Sequence, residues 1–222
     1  MGLDDFKDIV GTCAAVSTIG QMLTGILICN DIQKKGTSED VDPMPFLGGI
    51  GMCILMLRYA WILGDPAMIN VNVFGLLANT LYMAVYYYYS PRTKDTLALI
   101  SKAVAFVAVF LAYAEMEHPE KVEFRFGIII TVLLLLLVAS PLAHLKKIIE
   151  TKDTTILPFP LIFMGTIVTF QWLLYGLIIN NMFVIFQNAV AFGLSIAQLS
   201  LFIIYPSKST KTAVPSQEKK KN

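Results

Sequence analysis

Residues 158–188 read PFPLIFMGTIVTFQWLLYGLIINNMFVIFQN: two apolar runs joined at Asn180–Asn181 by a break too short to hold a domain. Each run is long enough to cross a bilayer. A proline opens the first, Trp172-Leu173-Leu174-Tyr175-Gly176 lies deep within it, and Asn188 sits inside the second. Hydrocarbon supplies no hydrogen-bond partner, so polar groups at that depth face protein or a water-filled cavity. The same layout occurs earlier in the chain. Pro45-Phe46 matches Pro158-Phe159, and Ser38 and Thr151 each lie seven residues before their proline. Tyr59 follows Pro45 by fourteen residues, as Trp172 follows Pro158, and Asn72 takes the place of Asn188. Internal symmetry with proline-marked apolar segments at corresponding places points to a transporter whose binding site lies between the halves.

Composition agrees with a bilayer setting. The 222 residues are 56% hydrophobic, the mean hydropathy is +0.66, and an ordinary soluble domain is excluded. Seven apolar runs are legible, at about 8–30, 44–63, 68–89, 97–115, 124–145, 158–179 and 182–204. They predict an all-α bundle of seven transmembrane helices. Lys and Arg gather on one side: Lys34, Lys35, Arg92, Lys94, Lys102, Lys146, Lys147, Lys152 and the lysines of the tail. Lys7, Lys121 and Arg125 fall on the other. The positive-inside rule then puts the C-terminus in the cytoplasm and the N-terminus outside or in a lumen, a topology common to plasma-membrane and Golgi residents. The net charge of +1 gives no reason to expect nucleic acid. Cys13, Cys29 and Cys53 have no paired spacing and read as small buried hydrophobes.

The runs differ in character. The first holds Ser17, Thr18, Gly20, Gln21, Thr24 and Gly25, small and hydroxyl residues that let helices approach closely. The second carries Gly48, Gly49 and Gly51 and then Arg58, an ionisable residue about a turn and a half from the end of its span. At that depth it either serves a site or snorkels to the headgroups. Gly64-Asp65-Pro66 reads as a tight outer turn, and Tyr86 to Tyr89 as an interfacial aromatic belt. The fourth run has no counterpart in either half. Three spans reverse the chain's direction, so parallel repeats need one further crossing, and this run supplies it. The domains expected are a first three-helix repeat (8–89), a linker helix (97–115), a second repeat (124–206) and a disordered cytoplasmic tail (207–222).

Over about residues 8–206 the chain resembles the SWEET, or MtN3/saliva, sugar transporters. Ser140-Pro141-Leu142, Thr151-Lys152, Pro158-Phe159, the Trp172–Gly176 string, Asn188 and Gln198-Leu199 carry the likeness. The resemblance implies two parallel three-helix repeats (3+1+3) joined by an inversion linker, with sugar bound near the bilayer centre between them. It assigns Asn72 and Asn188 to the sugar hydroxyls, which carboxamides can both donate to and accept from. Trp172 would stack on the sugar ring. Tyr59 and Tyr175 match gate positions, with Asn181 as a polar gate partner. Pro45, Pro141 and Pro158 match three of four hinge prolines, and the first-span position falls near Gly25, which is not a proline. Arg58 stands where many plant members have tryptophan, so Arg58 and Met56 are the places to look for sugar choice.

The runs hold no Asp or Glu at binding depth to couple a proton or sodium ion. The expected activity is therefore bidirectional facilitated diffusion (uniport) of a mono- or disaccharide by alternating access. No cofactor or metal is implied; the partners are the sugar and the bilayer, with assembly into a homo-oligomer left open. Two alternatives stand beside this one. A seven-transmembrane receptor shares the topology but not the internal repeat. A PQ-loop amino-acid transporter would bring a Pro-Gln pair that this sequence lacks. An enzyme would need clustered nucleophiles, histidines or carboxylates, which no run supplies.

Overall fold

Eight helical segments build the protein: α1 (Lys7–Met22), α2 (Gly25–Lys35), α3 (Met44–Leu63), α4 (Pro66–Tyr88), α5 (Thr93–Met116), α6 (Pro119–Thr151), α7 (Phe159–Ile178) and α8 (Met182–Ile204). A computed structural model describes residues 6–152, 154 and 159–205, with the backbone alone for 138–147 and 151. The expected tail and Pro158 lie outside the described residues. Among those residues there is no strand. α1 and α2 are two parts of one crossing, and six stretches are long and apolar enough to span a membrane. α6, at 33 residues, is the seventh. Local chemistry sets the boundaries. Pro66 and Pro119 open α4 and α6, where a missing N–H costs no intrahelical bond. Asp65 and Asn181 cap α4 and α8 through their side-chain oxygens. Gly36 and Gly64 end α2 and α3 with φ of +70° and +65°, the left-handed conformation that glycine adopts freely.

Two three-helix units flank α5. In the first, α4 packs against both α3 and the α1–α2 crossing; in the second, α8 packs against both α7 and α6. The units meet where α1 lies on α7 and where α3 lies on α6, so each contact swaps the roles of first and second helix. α5 docks on α3. This is the 3+1+3 arrangement.

The register between units differs from the one the prolines suggest. A single offset of 116 residues, Asp65 to Asn181, relates one structural feature after another. The Asp65 amide donates to the Ala60 carbonyl and that of Asn181 to Gly176, both at 3.1 Å. Gly64 and Asn180 both have positive φ, 65° and 53°. Ser38 and Thr154 are buried; the Ser38 amide donates to the Tyr89 carbonyl, and the Thr154 hydroxyl to that of Tyr205. A Cβ added at Gly11 would meet Ala67 Cβ at 3.3 Å and one at Gly127 the Phe183 ring at 2.6 Å, and Ala67 and Phe183 are themselves 116 apart. On this register Tyr59 corresponds to Tyr175, not to Trp172, and Ser38 to Thr154, not to Thr151. Met56 stands in the place of Trp172. Prolines mark where a helix can begin, and the second unit has three more residues between its proline and its outer turn. Three residues rotate a helix by nearly a full turn, so the misreading kept roughly the right faces.

Call the end of the bundle with the α3–α4 and α7–α8 turns the turn end. There one core joins both units and the linker: Leu55, Tyr59 and Met68 pack with Ala114, Phe126, Ile130, Tyr175 and Val184. Toward the opposite end the buried residues among those described fall into two clusters. Ile32, Phe46, Ala78 and Tyr82 cluster within the first unit, and Ile148 with Leu201 within the second. Pro45 occupies the first turn of α3, where it completes a helix start and breaks no bond. Pro141 lies inside α6, which continues ten residues past it to Thr151.

A clamp at the turn end fastens the linker to the second unit. Glu117 Oε2 accepts from the Tyr113 hydroxyl at 2.6 Å and from Arg125 Nη1 at 2.8 Å, and its Oε1 accepts the His118 amide at 3.0 Å. Those three donors, the Tyr113 hydroxyl foremost, draw the Glu117 carboxyl down to about 2. A depressed carboxylate adds stability above its ordinary value and loses that contribution as pH falls through the depressed one. The stability gap between wild type and Glu117→Gln should therefore be constant from pH 7 to about 4.5. It should shrink as pH falls further toward about 2, measured by thermal unfolding of the detergent-solubilised protein.

Candidate functional site

Two matched contacts close the turn end. Tyr175 donates its hydroxyl to Asp65 Oδ2 at 2.6 Å, while Asp65 Oδ1 caps α4 by accepting the Met68 amide at 2.9 Å. Lys7 Nζ lies 4.0 Å from the same Oδ2. In the other half, Asn181 Nδ2 donates to the Tyr59 hydroxyl at 3.1 Å, and Asn181 Oδ1 caps α8 at Phe183 and Val184. Tyr59 and Tyr175 are each 1% exposed and Asp65 is 4% exposed. Each pair joins the two units across the bundle. The first is the stronger, because a buried carboxylate makes a short charge-assisted bond.

Inward of these closures lie the two asparagines. Asn72 Nδ2 donates to the Met68 carbonyl at 2.8 Å and Asn188 Nδ2 to the Val184 carbonyl at 2.9 Å. The same backbone contact orients both carboxamides, and among the described residues no donor reaches the side-chain oxygen of either. Each amide sits seven residues beyond its cap, about 10 Å along the axis, so the two lie at one depth. Trp172 lies six residues from the end of α7, as Asn188 lies six from the start of α8. Those equal spacings put Trp172 at the same level.

The indole is fixed from two sides. Trp172 Nε1 donates to Thr18 Oγ1 of α1 at 2.8 Å, and that hydroxyl donates onward to the Ala14 carbonyl at 2.7 Å. Its ring stands edge-on to Tyr175, centroids 5.5 Å apart at 89°. Trp172 thus touches Tyr175 directly. Met56 is half-buried against the joint core. Arg58 is directed elsewhere: its Nε lies 2.9 Å from Glu115 Oε1, at the linker helix, with the side chain 26% exposed. Trp61 is 68% exposed, on the outside of the bundle. Gly25 opens α2 next to a break in the first crossing. Among the described residues no group of three or more His, Cys, Asp or Glu could hold a metal. Two cavities of about 510 and 480 Å³ are apolar clefts beside α5 and are not lined by Asn72, Trp172 or Asn188.

Asp65 and Thr18 are the residues that sequence reasoning left out. Asp65 was read only as part of a turn. Its signal is the spacing: Tyr59, Asp65 and Asn72 repeat as Tyr175, Asn181 and Asn188 without a gap. Thr18 carries no such signal, since a threonine in a membrane helix commonly bonds its own backbone.

A family model described as "Sugar efflux transporter for intercellular exchange" matches residues 8–94 and again 124–210, the same 116-residue offset. Sugar transporter SWEET1 of Drosophila pseudoobscura pseudoobscura is 31% identical over 206 residues, covering 91% of each chain. Bidirectional sugar transporter SWEET10 of Arabidopsis thaliana is 29% identical over 189 residues, 83% of this chain and 65% of that protein. A solved eukaryotic SWEET transporter superposes with a TM-score of 0.82 at 23% identity, covering 91% of this chain and 98% of that one.

The closures predict a stability pattern. Asp65→Ala and Asn181→Ala each remove a helix cap and leave a buried tyrosine hydroxyl without its partner, at a cost of roughly 2–4 kcal/mol. Arg58→Gln, which breaks a partly exposed ion pair, should cost about 1 kcal/mol or less. Unfolding of the three variants in one detergent checks the order.

Proposed function

The chain belongs to the SWEET, or MtN3/saliva, family of sugar transporters, and we propose that it is a passive, bidirectional sugar uniporter working by alternating access. It is an integral, multi-pass membrane protein, and transport is not an enzymatic activity. The observation that carries the mechanism is the unequal division of the core. One joint core and two tyrosine closures seal the turn end, while toward the other end the buried residues among those described form two separate clusters. Sugar enters from the open end and lies between Asn72, Asn188 and Trp172. Release to the opposite side requires Tyr59 and Tyr175 to part from Asn181 and Asp65. The lysine and arginine distribution supports assigning the turn end to the outside or lumen, at the plasma membrane or Golgi.

Passive transport follows from where charge is found. Asp65, the buried carboxylate among the described residues, lies at the gate, a full seven residues outward of Asn72. At the level of the amides the named groups are neutral, which supports transport without a coupled ion. The alternative of a receptor or an amino-acid carrier gains no observation of its own.

Reconstituted in liposomes, the protein should equilibrate radiolabelled sugar across the membrane and not accumulate it, with or without an imposed pH gradient. Accumulation above equilibrium would reject the uniport reading. Asn72→Ala and Asn188→Ala should each lower flux about tenfold or more, since each removes hydrogen bonds worth about 1–3 kcal/mol to a desolvated ligand. Arg58→Gln should stay within about threefold of wild type, because its partner is the linker helix.

A further inference from the structure

The first crossing is interrupted at Leu23–Thr24, and a side chain from another helix holds the interruption. Backbone angles there remain helical, −63°/−15° at Leu23 and −60°/−24° at Thr24. The hydrogen bonds change. Thr24, Ile26 and Leu27 donate to the carbonyls three residues back, Gln21, Leu23 and Thr24, at 3.2, 3.0 and 3.1 Å. Such a tight stretch inside a longer helix often marks a hinge. With the Ile26 amide turned to Leu23, the Met22 carbonyl loses its helical donor. The Tyr82 hydroxyl of α4 takes that carbonyl at 3.1 Å. A carbonyl left bare at this depth would be costly, so the contact stabilises the broken form over the regular one.

Gly25 makes the contact possible. An added Cβ would lie 2.4 Å from Tyr82 Cε2 and 2.7 Å from Cδ2, so the ring rests directly on glycine backbone. The ring also packs against Phe46, centroids 6.0 Å apart, beside Pro45 at the start of α3. On the 116-residue register Gly25 corresponds to Pro141. The second unit thus has a proline within its first helix where the first unit has a glycine and a tyrosine from outside.

We propose that Tyr82 is a positioning residue for transport, its hydroxyl holding the α1–α2 break open as a hinge that moves when the two ends of the carrier exchange access. Tyr82 lies ten residues from Asn72, about 15 Å along α4, so it acts on movement and not on sugar contact. The inference deepens the transport reading and rests on it.

Tyr82→Phe removes the hydroxyl and keeps the ring. The Ile26 amide should then return to Met22, and deuterium uptake at the amides of 24–27 should fall while that of α5 stays unchanged. In liposomes maximal exchange flux should fall roughly three- to tenfold, the equivalent of one hydrogen bond. The half-saturating sugar concentration should stay within about twofold. Thr24→Pro on the Tyr82→Phe background should restore flux, because proline enforces the break from the backbone and φ at Thr24 already suits it. Unchanged or increased uptake at 24–27, a loss of flux matched by a loss of affinity, or no rescue by proline would each overturn the proposal. Should Tyr82→Phe fail to fold, Gly25→Ala reads the same hinge, since its Cβ displaces the ring; wild-type flux and uptake there would overturn it. If the wild type carries no sugar the transport reading fails by itself, and the amide exchange still judges the hinge.

Discussion

A hydroxyl on a carboxylate, Tyr175 on Asp65 at 2.6 Å, is the contact on which the closed end depends. It spans the two units, it draws α7 against the start of α4, and it keeps a buried charge partnered where water is excluded. The carboxylate is fully used, one oxygen on the helix cap and the other on the tyrosine. Opening that end must give up the tyrosine contact while the cap stays, so the turn can move as a unit without unravelling α4. The Tyr59–Asn181 pair repeats the design with an amide. Neutral pairs hold less strongly than charge-assisted ones, so the two closures differ in strength although their backbones superpose in register.

That register explains what could be read in the sequence and what could not. Seven crossings were legible because hydrocarbon enforces length and apolarity, and the inversion helix followed from counting crossings. The pairing of Tyr59 with Trp172 came from measuring outward from prolines, and prolines report only where a helix may start. Measured from the outer turn, whose two halves share a hydrogen-bond pattern at Ala60–Asp65 and Gly176–Asn181, the correspondence is free of gaps. Asp65 is hidden for a related reason: Gly64-Asp65-Pro66 is so good a turn signal that it masks the helix cap and the Tyr175 contact made by the same residue.

Other features leave no trace in composition. The i→i−3 bonding at Leu23–Thr24 occurs in residues of ordinary helix propensity, and only Gly25 hinted at it. The Trp172–Thr18 bond joins residues 154 apart. Arg58 illustrates the opposite limit. Its depth was legible, but depth could not choose between a site and the surface, and a partner at the end of another helix, Glu115, took the charge.

Trp172 brings these threads together at the level where sugar is proposed to bind. Its N–H is committed to Thr18 and its ring stands edge-on to Tyr175, so the indole cannot shift without disturbing either the α1 contact or the gate. A ring stacking on that indole replaces water with apolar surface and competes for the same side chain's freedom. In the proposed mechanism occupancy and closure are therefore linked through one residue whose movements are restricted from two directions. α1, which receives the bond from Trp172, is also the segment that ends at the Tyr82-held break. On the proposed hinge, a change at the indole is passed to a helix able to bend, and not to a rigid rod that would have to move as a whole. The proposed uniport along such a path needs no ion gradient: it requires only that the two closed forms differ by little enough in energy for sugar to be exchanged between them.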